Sequence, residues 1–139
     1  MTGNETAPPP VSRSIDERLT EARQRIRRYS PAEAHSAAQS GALIVDIRPQ
    51  AQRQEFGEVP GALVLERNVL EWRLDPRSDS RLADVARYDL EVIVLCQEGY
   101  TSSLAADSLR ELGIAQTGDI DGGFVAWKAS GLPTTGNAH

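Results

Sequence analysis

Three short apolar runs set the frame of this chain: Leu43-Ile44-Val45-Asp46-Ile47, Ala62-Leu63-Val64-Leu65 and Val92-Ile93-Val94-Leu95. None alternates between apolar and polar positions. A strand with one face in water alternates, so these runs predict strands buried on both faces, as in a parallel sheet. The segments between and after them change period. Gln50 to Phe56, Asn68 to Leu74 and Ser102 to Leu112 read as helices. In the last of these, Leu104, Ala105, Ser108, Leu109 and Leu112 share one face, and Gly113 stands just past the end. A weaker strand is expected over Gln116 to Ile120, then a helix over Gly123 to Ala129. Segment 75–89 is mostly polar and reads as a surface loop. Strands alternating with helices predict right-handed crossovers, hence an α/β fold: a doubly wound, mostly parallel sheet flanked by helices.

Two helical patterns precede the first run. Ser14 and Glu17 form an S-x-x-E capping box, and Ile15, Leu19, Ala22 and Ile26 recur on one face. An extra N-terminal amphipathic helix is therefore expected from Ser14 to Arg28. Its apolar face should pack on the rest of the chain, because a short helix alone is marginal in water. Ser30-Pro31-Ala32-Glu33 repeats the start signal with proline at the first helical position, and Gly41 closes that second helix. Residues 1–13 hold three consecutive prolines and little apolar content, which predicts a disordered tail. The expected organisation is a tail over 1–13, the N-terminal helix over 14–29, and one α/β domain over 30–135.

A length of 139 residues suits one core, and 40% hydrophobic with 25% charged residues is an ordinary globular composition. The net charge of -5 argues against a nucleic-acid partner. The charge is uneven: Val11 to Ser30 holds six arginines against three acids, whereas Pro31 onward holds nine basic and sixteen acidic residues. A basic element is expected against an acidic body. No apolar run approaches the ~20 residues of a membrane helix, and the N-terminal residues lack the apolar core of a secretory signal. No membrane partner is expected, and the expected location is the cytoplasm.

One cysteine, Cys96, excludes an internal disulfide and a four-cysteine zinc site. His35 and His139 lie far apart and have no metal-ligand spacing. His35 is expected solvated or partly buried on the second helix, and His139 in a disordered end. No metal or organic cofactor is implied.

The candidate chemistry lies at Leu95-Cys96-Gln97-Glu98-Gly99-Tyr100-Thr101-Ser102. Cys96 falls at the carboxyl end of a buried strand, the edge where open α/β sheets bind ligands. A short loop entering a helix turns backbone N–H groups toward its centre, and these and the helix dipole favour negative charge. A thiol held there is more often the nucleophilic thiolate, and the same donors suit a persulfide anion. Gly99 permits a backbone closed to other residues, and the hydroxyls of Thr101 and Ser102 are expected as further donors. The alternative is that Cys96 is a small buried hydrophobe.

The loop from Cys96 to Thr101 resembles the active-site loop of rhodanese domains. Val45-Asp46-Ile47-Arg48 is similar to that family's V-D-x-R, and Glu55-Phe56-Gly57-Glu58-Val59-Pro60-Gly61-Ala62 to its E-F-x-x-G-H-I-P-G-A. Gly122-Gly123-Phe124-Val125-Ala126-Trp127 with Gly131-Leu132-Pro133 resembles its closing G-G-x-x-x-W-x-x-x-G-x-P. Order and spacing match from about Ser30 to Pro133. The resemblance implies a rhodanese-type sheet and a sulfurtransferase that takes sulfane sulfur as a persulfide on Cys96. It implies a small sulfur donor such as thiosulfate, and, with no second cysteine, an external acceptor: cyanide, a small thiol or a protein thiol. Gln97, Glu98, Gly99, Tyr100, Thr101 and Ser102 would form the substrate-binding loop. Asp46 and Arg48 would support it through hydrogen bonds to loop backbone or ion pairing. Gly61, Gly122 and Gly123 would serve turns and close backbone approach, and Phe124 and Trp127 the core. Trp72 either covers the core or lines the pocket mouth.

The departures from the family pattern bear on the donor. The sixth loop position is Thr101 rather than a basic residue, Glu98 adds an acid, and Glu58 replaces the family histidine. A carboxylate beside the sulfur disfavours the thiolate and an anionic donor. Arg67 and Arg73 follow a strand ending on the same face as Cys96 and are candidates for the missing positive charge. Two other classes remain as alternatives. A cysteine phosphatase needs arginine six residues after the cysteine, where this chain has Ser102. A rhodanese-like recognition or regulatory module would bind without appreciable turnover.

Overall fold

The computed structural model describes residues 7–136, so residues 1–6 of the expected tail and His139 lie outside the described residues. Residues 7–13 run as turns and irregular chain with exposed side chains. The elements that follow are helix α1 (Ile15–Arg25), strand β1 (Arg27–Tyr29), α2 (Pro31–Gln39), β2 (Leu43–Asp46), α3 (Gln50–Phe56) and β3 (Leu63–Val64). A single 3-10 turn (Arg67–Val69) leads into α4 (Leu70–Leu74), then β4 (Val92–Leu95), α5 (Thr101–Glu111), β5 (Thr117–Ile120) and α6 (Gly123–Ala129).

The five strands form one all-parallel sheet in the order β1-β5-β4-β2-β3. The non-alternating run Val92–Leu95 is its centre, buried at every position. Val92 and Val94 face one core with Val45, Leu70, Leu74 and Leu109. Ile93 and Leu95 face the other with Ile44, Phe124 and Trp127. Each face is thus covered, by α4 and α5 on one side and by α2 and α6 on the other, as a doubly wound sheet requires. His35 is half-buried and stands edge-on to the Trp127 ring, whose Nε1 donates to the Pro133 carbonyl at 2.8 Å.

The N-terminal segment departs from its expected form. Both capping boxes are present, at Ser14/Glu17 and Ser30/Glu33. The first helix, however, stops at Arg25 rather than continuing to Arg28. Ile26 is extended, and Arg27, Arg28 and Tyr29 pair in register with Gly118, Asp119 and Ile120. The Tyr29 side chain is buried, its hydroxyl donating to Glu91 with the Arg27 guanidinium over its ring. Sheet pairing and ring burial outweigh one more helical turn. The apolar face differs accordingly: Ala22 is fully buried and Leu19 and Ile26 half-buried, but Ile15 is 61% exposed.

What joins α1 to α5 is largely ionic. Arg25 grips Asp107 with Nε and Nη2 at 2.9 and 2.7 Å, and Arg110 adds a third bond at 2.9 Å. The Arg25 hydrogen bond holds the Asp107 carboxyl below its ordinary range against the opposing effect of burial, with Arg110 adding to it. A carboxyl lowered in this way stabilises the fold above its unfolded pKa, and that contribution is lost as pH falls through the folded value. We expect Asp107→Asn to cost about 1 kcal/mol at neutral pH, since Arg25 is half-exposed and screened. The gap between wild type and variant should narrow as pH falls below the ordinary carboxylate range. Denaturation at neutral and at acid pH checks this. Amide exchange in residues 15–25 should be protected in wild type and faster in the variant; an unprotected wild-type helix would refute the docking.

Candidate active site

Cys96 is the first residue beyond β4, and its side chain is 4% exposed. The chain turns sharply and re-enters a helix at Thr101. Two backbone amides point back at the sulfur: Gly99 N–H at 3.2 Å and Ser102 N–H at 3.4 Å from Sγ. A depression of about 220 Å³ opens at the sulfur, walled by Ile47, Pro49 and Gln52 on one side and by Gln97, Glu98 and Tyr100 on the other. Thr101 lies at its exposed mouth.

The loop is fixed from three directions. From one side the start of α6 donates into it: Phe124 N–H to the Cys96 carbonyl at 2.9 Å and Val125 N–H to the Gln97 carbonyl at 3.1 Å. This contact explains the paired glycines. A Cβ on Gly123 would lie 2.5 Å from the Cys96 carbonyl oxygen and 2.7 Å from Gly99 N. A Cβ on Gly99, itself at φ +87°, would lie 2.7 Å from Gly122 N. Only two bare backbones can approach so closely.

From below, Asp46 and Arg48 form a buried pair, 0% and 1% exposed. Arg48 Nη2 reaches Asp46 Oδ2 at 2.8 Å and the Gly57 carbonyl at 2.8 Å, while Nη1 donates to Gln97 Oε1 at 2.9 Å. The guanidinium lies 4.2 Å from the centre of the Phe124 ring. Arg48 therefore ties β2, the α3–β3 connection and the loop together. It meets the loop through the Gln97 side chain rather than through its backbone.

The third direction carries groups that sequence reasoning missed. The Gly99 carbonyl accepts from Arg23 Nη2 at 2.8 Å and Arg28 Nη2 at 2.9 Å. Arg28 is also paired with Asp119 and Asp121. Asp119, fully buried, accepts the hydroxyls of Ser102 and Ser103, each at 2.7 Å. Partial burial pulls the Arg28 pKa down, but its bond to Asp119 and the charges of Asp119, Asp121 and Cys96 raise it on balance. The only trace of these residues in the sequence is the density of arginine between Val11 and Ser30.

Several expected site residues sit elsewhere. Arg67 pairs with Glu71 at 2.8 Å, and Arg73 donates to the Ser80 carbonyl at 2.7 Å. Neither lines the depression at Cys96. The strand before them ends at the expected edge, but the 3-10 turn and α4 carry both side chains away. Glu71 is held below its ordinary range: burial opposes this, and the Ser108 hydroxyl and Arg67 outweigh it. Trp72 is 61% exposed and neither covers the core nor lines the depression. The Ser102 hydroxyl is taken by Asp119, so it is the amide of Ser102 that faces the sulfur. Glu98 is exposed on the depression's wall. A buried sulfur ringed by amides, with an acid rather than a free cation at the mouth, suits an anion formed in place better than an anion drawn from solution.

Comparison with known proteins gives one family. The model of the rhodanese-like domain matches residues 30–130. The thiosulfate sulfurtransferase GlpE of Pseudomonas entomophila is 34% identical over 116 residues, covering 81% of this chain and 96% of that protein. GlpE of Ectopseudomonas mendocina is 32% identical over 104 residues, covering 75% and 86%. Among solved structures, a Rhodopseudomonas palustris protein described as of unknown function and a possible tyrosine phosphatase superposes with a TM-score of 0.82 at 31% identity, covering 92% of this chain and 98% of that one. The polysulfide-sulfur transferase homodimer of Wolinella succinogenes shares the fold, with a TM-score of 0.68 at 22% identity and coverage of 88% and 87%.

The glycine contact generates a direct test. Gly123 sits at φ +61° against backbone that cannot yield. Gly123→Ala is expected to destabilise the protein by about 2 kcal/mol and to slow alkylation of Cys96 by iodoacetamide in the fraction that stays folded. Gly131→Ala, also at positive φ but with open space around it, should cost less and leave alkylation unchanged. Denaturant melts and mass spectrometry of the alkylated protein separate the two.

Proposed function

The chain belongs to the rhodanese-like domain family of sulfurtransferases, and from that premise we propose that it carries sulfane sulfur as a persulfide on Cys96 and passes it to an external acceptor. The observation that carries the reading is the pair of amides, Gly99 and Ser102, aimed at a buried sulfur at the end of the central strand. In the loading step the Cys96 thiolate attacks the sulfane sulfur of a small donor. The new S–S bond forms as the donor's own S–S bond breaks, and the leaving group departs with that electron pair, as sulfite from thiosulfate or as a thiolate from a persulfide. In the unloading step a thiol, a protein thiol or cyanide attacks the terminal sulfur, and Cys96 leaves as the thiolate. Both steps begin or end with an anion at Cys96, which is the state the amides favour. The depression, the loop residues Gln97 to Thr101 and the Ser102 amide form the donor site, with Asp46 and Arg48 holding its base.

A phosphatase is disfavoured. Ser102 occupies the position where the phosphate-clamping arginine of such loops would stand. Of the arginines near the loop, Arg23 and Arg28 bond the Gly99 carbonyl, and Arg48, which borders the depression, is paired with Asp46. A recognition module without turnover has no use for a thiol set among inward amides.

Cys96→Ser tests the proposal. Incubation of wild type with thiosulfate or glutathione persulfide should add one sulfur atom to the intact mass, removable by cyanide. The serine variant should show neither, and transfer surviving in it would sink the mechanism. A non-turnover module would show wild-type protein taking no sulfur from any donor.

Glu98 offers the second test. A carboxylate on the wall opposes a dianionic donor more than a less charged one. Glu98→Gln should raise loading by thiosulfate roughly 3- to 10-fold at low salt, raise loading by glutathione persulfide less, and lose this selectivity in high salt. Equal gains with both donors would mean that Glu98 does not discriminate between them by charge.

A further inference from the structure

We propose that Arg23 and Arg28 are positioning residues of the Cys96 site: together they hold the Gly99 carbonyl on the outer side of the loop, which keeps the following amide turned toward the sulfur. The inference rests on the reading of Cys96 as the nucleophile. It places part of the active site in the α1–β1 segment, ahead of residue 30, where the family match begins.

The argument starts from the peptide between Gly99 and Tyr100. It is trans, so its C=O and N–H point in opposite directions. Turned one way, it gives the depression an N–H; turned the other, it gives the lone pairs of a carbonyl oxygen, which repel an anion. Glycine accepts backbone angles on both sides, so from within the loop it is the Tyr100 φ of -99°, which a flip would drive positive, that resists the turn. Two guanidinium groups add an outside restraint at 2.8 and 2.9 Å on the one oxygen. The Tyr100 N–H, directed the opposite way, meets no acceptor among the described residues. It is the donor left over for the outer sulfur of a persulfide.

Each arginine is itself anchored. Arg23 Nε donates to Ser103 Oγ at 3.1 Å, and its guanidinium lies 5.7 Å from the Tyr100 ring centre. Arg28 is locked on Asp119, which through its bond to the Ser102 hydroxyl also orients the residue whose amide reaches Sγ. The two differ in charge. Arg28 is matched by Asp119 and Asp121, whereas Arg23 meets only neutral oxygens among the described residues. The other charged groups around the loop are Asp46 with Arg48 at its base and Glu98 at its rim. Arg23 is therefore the unmatched cation behind the sulfur.

The test is Arg23→Met in the full chain, which keeps an unbranched stem and removes both hydrogen bonds and the charge. We expect the pH profile of Cys96 alkylation by iodoacetamide to move upward by about one unit, a roughly tenfold loss of rate below the plateau. The kcat for sulfur loading should fall with little change in KM for the donor, and the thermal midpoint should stay within a few degrees. Arg23→Lys keeps the charge but not the paired bonds, so it should restore most of the alkylation profile and less of kcat. A pH profile and kcat superimposable on wild type in Arg23→Met would overturn the proposal. If Arg23→Met does not fold, Arg23→Lys decides, and an unchanged kcat in it is the overturning result. Alkylation requires no sulfur donor. Failure of every donor to load Cys96 would thus defeat the functional reading separately, leaving the alkylation shift to judge the arginines.

Discussion

On the proposed reading, a nearly buried sulfur carries negative charge and needs hydrogen-bond donors around it, and two backbone amides point at it here. That choice has a consequence for every peptide in the loop. Amides turned inward leave carbonyls turned outward, and a buried carbonyl without a partner is costly. Four of them have partners. The Cys96 and Gln97 carbonyls take the first amides of α6, the Gly99 carbonyl takes Arg23 and Arg28, and the Tyr100 carbonyl takes Ser103 N–H inside the next turn. The arrangement around the sulfur is thus inseparable from the arrangement around the back of the loop.

The strand order makes this possible. With β4 central, the loop leaves the sheet between β5 and β2. β5 brings Asp119, and beyond it β1 brings Arg28; β2 brings Asp46, with Arg48 just past its end. Each flank therefore carries one acid–arginine pair with a buried acid, and each pair braces the loop. Such pairs add little net stability, because desolvation offsets most of their attraction. Their effect is geometric: removing one partner leaves a buried charge, so alternative loop positions are strongly disfavoured. The paired glycines 122 and 123 complete the enclosure by letting α6 approach to backbone contact.

Much of this was legible in the sequence. The apolar runs at 43–47 and 92–95 showed strands buried on both faces, and the second put Cys96 just past the carboxyl end of the central strand. What escaped reading was β1. Arg27-Arg28-Tyr29 has no strand-like pattern, and Ile26 continues the helical spacing of Ile15, Leu19 and Ala22, so the segment read as helix. Local pattern does not reveal that Tyr29 finds a buried place beside β5, a contact about 90 residues away along the chain. The same blindness to distant partners misplaced the supporting cations. Arg67 and Arg73 were close to the right edge in sequence terms, yet a helical turn directs them to Glu71 and Ser80. Arg23 and Arg28 were visible only as excess charge, which read as a general match to an acidic body rather than as bonds to one carbonyl. Asp46 and Arg48 were readable because their partners lie close in sequence and their spacing resembles a known motif.

The charges around Cys96 are not simply favourable or unfavourable; they act at different stages. Arg23 and Arg28 do not line the depression, and on the proposed reading they act on whatever anion sits at the sulfur. Glu98 lies on the wall of the depression and acts on what arrives. A cation placed at the mouth would do both at once: it would attract a dianionic donor and also hold its anionic leaving group. Separating the two functions lets the site favour the bound anion without drawing small anions from solution. Screening sharpens the division, since an exposed carboxylate weakens with salt while partly buried guanidinium groups do so much less. On the proposed reading, anion stabilisation would be set by the fold, through the N-terminal segment, whereas donor preference would be set at the surface by one exposed side chain, so that the two could vary independently.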